Sequence, residues 1–327
     1  MAGKIGIFSA CLFLSILCIS CTGTKCLSTA PSTIDADSGS IRFADVTSAM
    51  GLKPSGACVA WGDLNNDGWT DLIVDGRIYQ NLEGKKFEDV TPNAIAPHCG
   101  PCLIADFNGD GMNDIYFSDK GGALFLGSGD FSFTKGKAAI NSRPAFGLAA
   151  ADFDNDGWID IYIANYENWK KQIDYPDVML HNNQGELLEQ WVTPDEKLMR
   201  GRGATCCDFN NDLLIDIYVS NYRLMPNFLW VNHGNWSLID EARAFGCAGS
   251  ERKDMVFQNG KGFPYGSSGH TIGSVWADFD NDGRIDLFIN GHLFHNVSTT
   301  SGKWLEVVLS GKAPNTSSPG AKEMSVP

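Results

Sequence analysis

The apolar positions of this chain fall into short runs that are separated by turn residues and that return in the same order. Runs such as DIYIANY and DIYVSNY each follow an acidic stretch, and an apolar run that contains Gly precedes each stretch. Short runs rich in Ile, Tyr, Val and Phe that end in turn residues predict β-strands. A third run follows in most units and a fourth in some, and no helical period is evident. The pattern therefore predicts an all-β fold.

An acidic stretch of nine residues marks the same point of every unit, and its third copy reads DFDNDGWID. Internal repeats that return every few tens of residues indicate propellers or other repeat architectures. Four short strands per unit are typical of a propeller blade. A β-sandwich would not repeat the same acidic loop at the same point of each unit. We therefore predict a β-propeller of four-stranded blades, with five repeats visible and five to seven blades. We name the stretches acidic loops one to five, at residues 63–71, 106–114, 152–160, 208–216 and 278–286.

A strand-like segment also lies before the first unit. The segment IRFADV at residues 41–46 matches the fourth strand of a unit, and the fifth unit has no obvious fourth strand of its own. We expect the N-terminal segment to complete the last blade, which would close the ring and remove its open edges.

The acidic loops have the residue types of a calcium site. Positions 1, 3 and 5 carry Asp or Asn, and position 9 is always Asp. Alternate residues of a tight loop can direct oxygen atoms to one centre, and Ca²⁺ takes about six to eight oxygen ligands, including backbone carbonyls. Mg²⁺ requires a stricter octahedron, and Zn²⁺ prefers His or Cys, which the loops lack. With position 7 contributing its carbonyl, the predicted calcium ligands are Asp63, Asn65, Asp67, Trp69, Asp71, Asp106, Asn108, Asp110, Met112, Asp114, Asp152, Asp154, Asp156, Trp158, Asp160, Asp208, Asn210, Asp212, Leu214, Asp216, Asp278, Asp280, Asp282, Arg284 and Asp286.

Two other interpretations explain these loops less well. A solvated acidic turn accounts for one copy, but not for five copies in register. An EF-hand begins in the same way but needs a Glu at position 12. This chain has apolar residues there, namely Val74, Phe117, Ile163, Val219 and Ile289.

Loop four departs from the pattern at position 6. It has Leu213 where the other loops have Gly. The turn needs a positive φ at this position, which is costly for Leu. We therefore predict that loop four binds Ca²⁺ more weakly than the others, or not at all.

The formal net charge of −14 restricts the class of partner. A nucleic-acid-binding protein needs a basic face, and this chain has no Lys/Arg cluster, so we expect no nucleic acid. The five loops hold 17 of the 39 acidic residues. We therefore attribute most of the net negative charge to the predicted metal sites.

The N-terminus predicts export from the cell. A basic start and a short apolar run fit a secretory signal peptide over residues 1–20, and the polar residues 21–40 read as a flexible lead-in. No apolar run reaches the ~20 residues of a membrane span, so we expect no transmembrane segment. Lipid modification of Cys21 would instead anchor the protein at the cell surface. In a secreted protein the acceptors for N-glycans would be Asn235, Asn296 and Asn315.

The motif D-x-[DN]-x-D-G-x-x-D followed by a strand resembles the FG-GAP repeats, also called VCBS repeats, of integrin-α-like β-propellers. The segment FADVTSAMGL at residues 43–52 is similar to the one that joins such repeats. Residues 303–327 resemble the start of the ASPIC/UnbV domain that follows these repeats in the cartilage acidic protein family, and the chain ends where that domain would continue. The resemblance implies a propeller over residues 41–302 and a truncated ASPIC/UnbV-like start after it. It also implies calcium loops that brace the blades, while loops of a propeller face bind partners.

The sequence thus predicts a secreted calcium-binding β-propeller that acts as an extracellular adhesion or interaction module for protein or glycan partners. We expect no enzyme, because the chain has no G-x-S-x-G, H-E-x-x-H or P-loop motif. Two carboxylates suffice for glycoside hydrolysis, however. The alternative is therefore a secreted hydrolase that acts on polysaccharide or phosphoester.

Overall fold

The computed structural model describes nine segments of the chain, at residues 43–53, 58–96, 98–194, 197–210, 212–222, 225–248, 274–284, 286–289 and 292–297. The predictions for the signal peptide, the lead-in, Cys21, Asn315 and residues 303–327 lie outside these segments. Within them the chain forms strands and turns but no α-helix. A search of the same segments for a helix long and apolar enough to cross a membrane finds none.

The strands follow the order that the sequence pattern predicts. The first strand, β1 (Phe43–Asp45), precedes the repeats. Repeat one contains β2 (Val59–Gly62), β3 (Asp71–Val74), β4 (Arg77–Asn81) and β5 (Phe87–Asp89). Repeat two contains β6 (Cys102–Ala105), β7 (Asp114–Phe117), β8 (Ala123–Gly127) and β9 (Phe133–Lys135).

The remaining repeats differ in length. Repeat three contains β10 (Lys137–Ala138), β11 (Ala145–Ala151), β12 (Asp160–Asn165), β13 (Glu167–Asn168), β14 (Ile173–Asp174), β15 (Val178–Asn183) and β16 (Glu186–Val192). Repeat four contains β17 (Gly201–Cys207), β18 (Asp216–Asn221), β19 (Phe228–Asn232) and β20 (Leu238–Asp240). Repeat five contributes β21 (Ser274–Ala277), β22 (Asp286–Ile289) and β23 (His292–Asn296).

Each repeat forms one small sheet whose main strands pair as an antiparallel meander. The sheet of repeat three gains a fifth strand, because β10 pairs in parallel with β16, and the hairpin β13–β14 is inserted between β12 and β15. β1 pairs with β23 and supplies the missing fourth strand of repeat five. The all-β fold class and the β-propeller of four-stranded blades are therefore confirmed, as is the place of the N-terminal strand.

The second strand of each sheet lies between two neighbours and carries the densest apolar sequence. Every residue of β3, β7 and β12 is buried. Each acidic loop connects the first strand of a sheet to the second. Its position 9 Asp begins the second strand and pairs with the last residue of the first, as Asp71 does with Gly62. The same register recurs in the other four repeats.

The chain divides into two compact units, one built from Met1–Cys99 and Met255–Val307 and the other including Gly100–Asp254. The described part of the first unit holds β1 and repeats one and five, and its core contains Phe87, Phe279 and Phe288. The second unit holds repeats two to four, and one of its cores includes Phe153, Tyr162 and Trp230. Each acidic loop lies within a single unit.

Candidate metal centres

The aspartate at position 9 is the fixed point of each acidic loop. One oxygen of Asp71 accepts a hydrogen bond from the backbone N–H of Leu64, at position 2 of the same loop, over 2.9 Å. The other oxygen accepts from the backbone N–H of Asn81, at the end of the third strand, over 2.8 Å. The same two bonds form at Asp114, Asp160, Asp216 and Asp286. This carboxylate therefore ties the loop to the second and third strands of its sheet.

The side chains at positions 1, 3 and 5 are oriented by the backbone of the loop itself. In loop one, Asp63 accepts from the N–H groups of Asp67 and Gly68, over 3.2 and 2.9 Å. Asn65 accepts from the N–H of Asp67, and Asp67 accepts from the N–H of Trp69 over 2.8 Å. The corresponding bonds recur in the other four loops. The carboxylates therefore converge because the turn holds them.

Position 6 has a positive φ in every loop. Gly157 has a φ of 94° in loop three, a value that Gly adopts without steric cost. Leu213 has a φ of 74° in loop four, and its side chain is 66% exposed. The strained backbone predicted for loop four is thus confirmed, whereas its weaker calcium binding stays a prediction.

Burial and mutual repulsion disfavour the ionised form of the position 9 carboxylates and so raise their pKa. Burial is the largest cause that raises the pKa of Asp71 and Asp114 to about 7 and that of Asp160 to about 8, and the neighbouring loop aspartates raise each of them further. Burial also raises the pKa of Asp286, to about 7. Backbone hydrogen bonds oppose these shifts only in part. A cation among the carboxylates would cancel the repulsion and favour the ionised forms.

Loops three and five bring three carboxylates together. Ligand oxygens of Asp152, Asp154 and Asp160 lie within 4.8 Å of one another, and those of the corresponding aspartates in loop five do the same. Loops one, two and four have Asn at position 3 and so offer an amide oxygen in place of one carboxylate. An all-oxygen set of carboxylates and amides fits a hard cation such as Ca²⁺.

Position 7 contributes its backbone to the loop, and in loop five also its side chain. The N–H of position 7 donates to the aspartate at position 5 in every loop, over 2.8 to 2.9 Å. The guanidinium of Arg284 also pairs with Asp282 and donates to the carbonyl of Asn296. The carbonyls of Trp69, Met112, Trp158, Leu214 and Arg284 as metal ligands stay a prediction.

Two histidines reach the loops from outside the stretch, and sequence reasoning missed them. His181, on β15, places Nδ1 3.1 Å from Asp160 Oδ1 and 3.5 Å from Asp154 Oδ2. His295, on β23, places Nε2 3.1 Å from Asp280 Oδ2. Each His can thus provide a nitrogen ligand together with two carboxylates. The acidic loops themselves contain no His, but the fold brings an imidazole to loops three and five from strands outside them.

Asn182, which follows His181 on β15, links neighbouring repeats. The side-chain amide of Asn182 donates to the carbonyl of Phe107 in the preceding repeat, over 2.8 Å, and to that of Ile159 in its own, over 3.0 Å. Asn81 and Asn232 make the same two bonds in repeats one and four. We call these residues bridging asparagines. The recurring letters QN, HN and VN before a turn are the signal that could have identified them.

Neighbouring loops also contact each other directly within each unit. The side-chain amide of Asn155, at position 4 of loop three, donates to the carbonyl of Leu213 over 3.1 Å. In the other unit, Asn281 of loop five donates to the carbonyl of Gly68 over 3.3 Å. Position 4 of one loop therefore supports position 6 of the next.

The residues at position 2 and the glycan acceptors differ in burial. Leu64, Phe107, Phe153 and Phe279, at position 2, are buried, whereas Phe209 is half-buried and packs against Phe245. Of the two described glycan acceptors, Asn235 lies in an exposed turn, and Asn296 is half-buried at the end of β23. Glycosylation at either residue stays a prediction.

Comparisons with known proteins agree with this repeat structure. The family described as FG-GAP-like repeat matches residues 106–163 and 152–219. Cartilage acidic protein 1 of Xenopus tropicalis is 25% identical over 270 residues, and that of Homo sapiens is 24% identical over 263 residues. These alignments cover 70% and 71% of this chain and 39% of each relative, so the chain spans about two fifths of their length.

The crystal structure of the V. cholerae biofilm matrix protein Bap1 gives a TM-score of 0.32 at 16% identity, over 57% of this chain and 39% of that chain. A TM-score this low does not establish a shared fold. The repeat family and the curated relatives, together with five sheets that each carry an acidic loop, are consistent with one another. Residues 106–219 of this chain thus match the FG-GAP-like repeat, and most of the chain is similar in sequence to cartilage acidic protein 1.

Proposed function

We propose that the protein is a secreted, calcium-stabilised β-propeller that serves as an extracellular interaction module. The calcium part of this proposal rests on one observation. Within each of the five loops, the same backbone hydrogen bonds orient the acidic side chains. Side-chain oxygens of positions 1, 3, 5 and 9 would hold the ion. The bound Ca²⁺ would supply the positive charge that these buried carboxylates lack.

The interaction part of this proposal concerns the blade surfaces outside the acidic loops. The loop aspartates are engaged in bracing the sheets, because each position 9 carboxylate joins three segments of backbone. Partner recognition is then left to other surfaces of the blades. We propose that a protein or a glycan binds there, outside the cell, as the predicted signal peptide supports.

Calcium titration of the intact chain tests the first half. We expect Ca²⁺ to bind in isothermal titration calorimetry and to raise the melting temperature, and EDTA to lower it. Asp156→Ala removes a position 5 carboxylate and should weaken binding in loop three. Asp154→Asn is the matched control, because loops one, two and four have Asn at that position. A melting temperature that EDTA leaves unchanged would contradict the proposal that calcium stabilises the protein.

The hydrolase alternative stays open to a direct assay. Turnover of a panel of neutral and acidic polysaccharides and phosphoesters would support it. The loss of that turnover in a variant of an acidic pair outside the five loops would identify the catalytic residues. A panel without turnover would leave the interaction module.

A further inference from the structure

Arg202, the second residue of β17, has an unusual environment for an arginine in an acidic protein. Among the described arginines, Arg77, Arg143, Arg200 and Arg284 each pair with a carboxylate. Arg202 makes no ion pair with any described residue. Its Cζ instead lies 4.7, 4.3 and 4.5 Å from the ring centroids of Phe146, Tyr166 and Tyr222. We call these four residues the Arg202 site.

The Arg202 site lies at the strand ends that are farthest from the acidic loops of repeats three and four. Tyr166 and Tyr222 directly follow β12 and β18, which begin at the position 9 aspartates. Six residues of extended strand span about 20 Å. Phe146 and Arg202 are the second residues of β11 and β17, strands that run toward the loops. Cations bound in loops three and four would therefore be far from the guanidinium.

The site contains polar atoms whose hydrogen-bonding capacity is not used. Burial raises the pKa of the Tyr166 hydroxyl, and the nearby Arg202 guanidinium opposes that rise. Its Nε is buried and has no hydrogen-bond partner among the described residues. The Oδ1 of Asn221 is also buried and without a hydrogen bond there, and Asn221 pairs with Gly201, next to Arg202 in the sheet. Arg202 thus keeps a charged donor that no described residue satisfies.

The hairpin β13–β14 adds exposed groups at the same end of the repeat. Arg200 fixes the hairpin, because its Nε lies 3.0 Å from both Glu167 and Asp174. Beyond these anchors the turn carries Trp169, which is 56% exposed, followed by the exposed Lys170 and Lys171. An exposed aromatic ring with two cations beside it suits an anionic ligand that also has an apolar face.

We propose that the Arg202 site binds the carboxylate of an acidic polysaccharide, with Trp169, Lys170 and Lys171 contacting the adjoining sugars. A planar guanidinium can hold a carboxylate through two parallel hydrogen bonds, and the three rings fix its orientation. A uronate chain provides repeated carboxylates and flat C–H faces that stack on Trp. A narrow hairpin tip also suits a linear chain better than the broad surface of a folded protein, which needs about 800 Å² per partner. This inference rests on the interaction half of the proposed function and is independent of calcium.

The test uses a hyaluronan octasaccharide, whose glucuronates supply the carboxylates, in calorimetric titration of the full chain with constant Ca²⁺. We expect binding that disappears when the carboxylates are methyl-esterified. Arg202→Met should raise the Kd about tenfold or more, as expected for the loss of a hydrogen bond to a charged group. Arg77→Met is the matched control, because it removes an arginine of the other unit and should leave the Kd unchanged.

A second variant tests the proposal without changing Arg202, in case Arg202→Met disturbs folding. The triple variant Trp169→Ala, Lys170→Gln and Lys171→Gln changes only exposed side chains and should weaken binding about fivefold or more, whereas Phe245→Ala, which truncates a similarly exposed ring, should not. No binding of the octasaccharide, equal binding in Arg202→Met and the parent, or binding of a hexaglutamate peptide alone would each overturn the proposal. Because EDTA tests the calcium sites separately, failure of one half is distinguishable from failure of the other.

Discussion

Position 6 of loop four shows how one residue can set the properties of a repeat. Leu213 adopts a φ of 74°, and its exposed side chain gains little from packing. A left-handed conformation costs a non-Gly residue about 1–2 kcal/mol. The loop nevertheless keeps the hydrogen-bond frame of the others, including the bond from the N–H of Leu213 to Asp208. Loop four therefore keeps the same turn as the other loops despite the strain at Leu213.

Replacing this leucine should relieve the strain. We expect Leu213→Gly to stabilise the protein by about 1 kcal/mol, the released strain being partly offset by the greater backbone entropy of Gly in the unfolded chain. It should also strengthen Ca²⁺ binding by loop four. Thermal unfolding and calcium titration of the variant measure both effects. Gly157→Leu is the reciprocal change in loop three and should destabilise, and an unaltered melting temperature in both variants would contradict this account.

The imidazole of His181 gives loop three a ligand that loop one lacks, because repeat one has Gln80 at the equivalent position. Imidazole favours Zn²⁺ and related ions, whereas carboxylate and amide oxygens favour Ca²⁺. We expect His181→Gln to weaken the competition of Zn²⁺ with Ca²⁺ by about tenfold and to change calcium affinity little. Competition titrations of parent and variant measure this. An equal loss of affinity for both ions would show that His181 acts only through packing.

At the scale of the strands, the bridging asparagines join one sheet to the next. Asn182 is fully buried and bonds to two carbonyls and to the N–H of Gly185. Asn182→Ala leaves these groups buried without partners, so we expect a loss of about 3 kcal/mol in the free energy of unfolding. Denaturant unfolding measures the loss. Asn183→Ala, at the exposed neighbouring position, is the control and should have little effect; equal losses in the two variants would contradict a bridging role.

Repeat two shows that this bridge depends on local space. Its equivalent residue is Gly127, and a Cβ there would lie 2.3 Å from the carbonyl oxygen of Asn113. The backbone N–H of Gly127 still donates to Asp114 over 2.8 Å. The bond to the position 9 aspartate is thus common to all five repeats, whereas the side-chain bridge is not.

The sequence was sufficient for the order of the main strands within each repeat. Alternation of apolar runs with a fixed acidic loop predicted the first and second strands, and the match of IRFADV to a fourth strand predicted the pairing of β1 with β23. These features follow from local residue types, since each loop closes its own hairpin. Position 9 was predicted as a metal ligand, and the same pattern gave no sign that it also joins three backbone segments.

What the sequence did not predict depends on contacts between distant residues. Asn182 meets Phe107 across 75 positions of the chain, and His181 meets Asp160 from a strand that lies outside the acidic motif. The parallel pairing of β10 with β16 and the hairpin β13–β14 have no counterpart in the described parts of the other repeats. A repeat pattern read from one sequence averages over such differences, and they are visible only once the sheets are assembled.

At the scale of the whole molecule, the charge of −14 is a property of the loops more than of the general surface. The 17 loop carboxylates lie within five short segments, and in loops three and five folding brings oxygens of three carboxylates within 4.8 Å of one another. Folding without a cation is then opposed by electrostatic repulsion. The stability of the protein should therefore depend on pH more strongly without calcium than with it.

The pKa values give the sign of that dependence. Without a cation, burial raises the pKa of Asp71, Asp114 and Asp286 to about 7 and that of Asp160 to about 8, against about 3.9 in an unfolded chain. The folded state then keeps protons that the unfolded state releases, so stability falls as the pH rises from about 4 to about 8. Calcium requires the ionised carboxylates, and proton release on binding makes its affinity increase with pH. We therefore expect a higher melting temperature at pH 6 than at pH 8 in EDTA. In saturating Ca²⁺ we expect nearly equal values, because the calcium-bound and the unfolded states are then both ionised. Scanning calorimetry measures this, and parallel pH profiles in the two conditions would show that calcium does not bind at these aspartates.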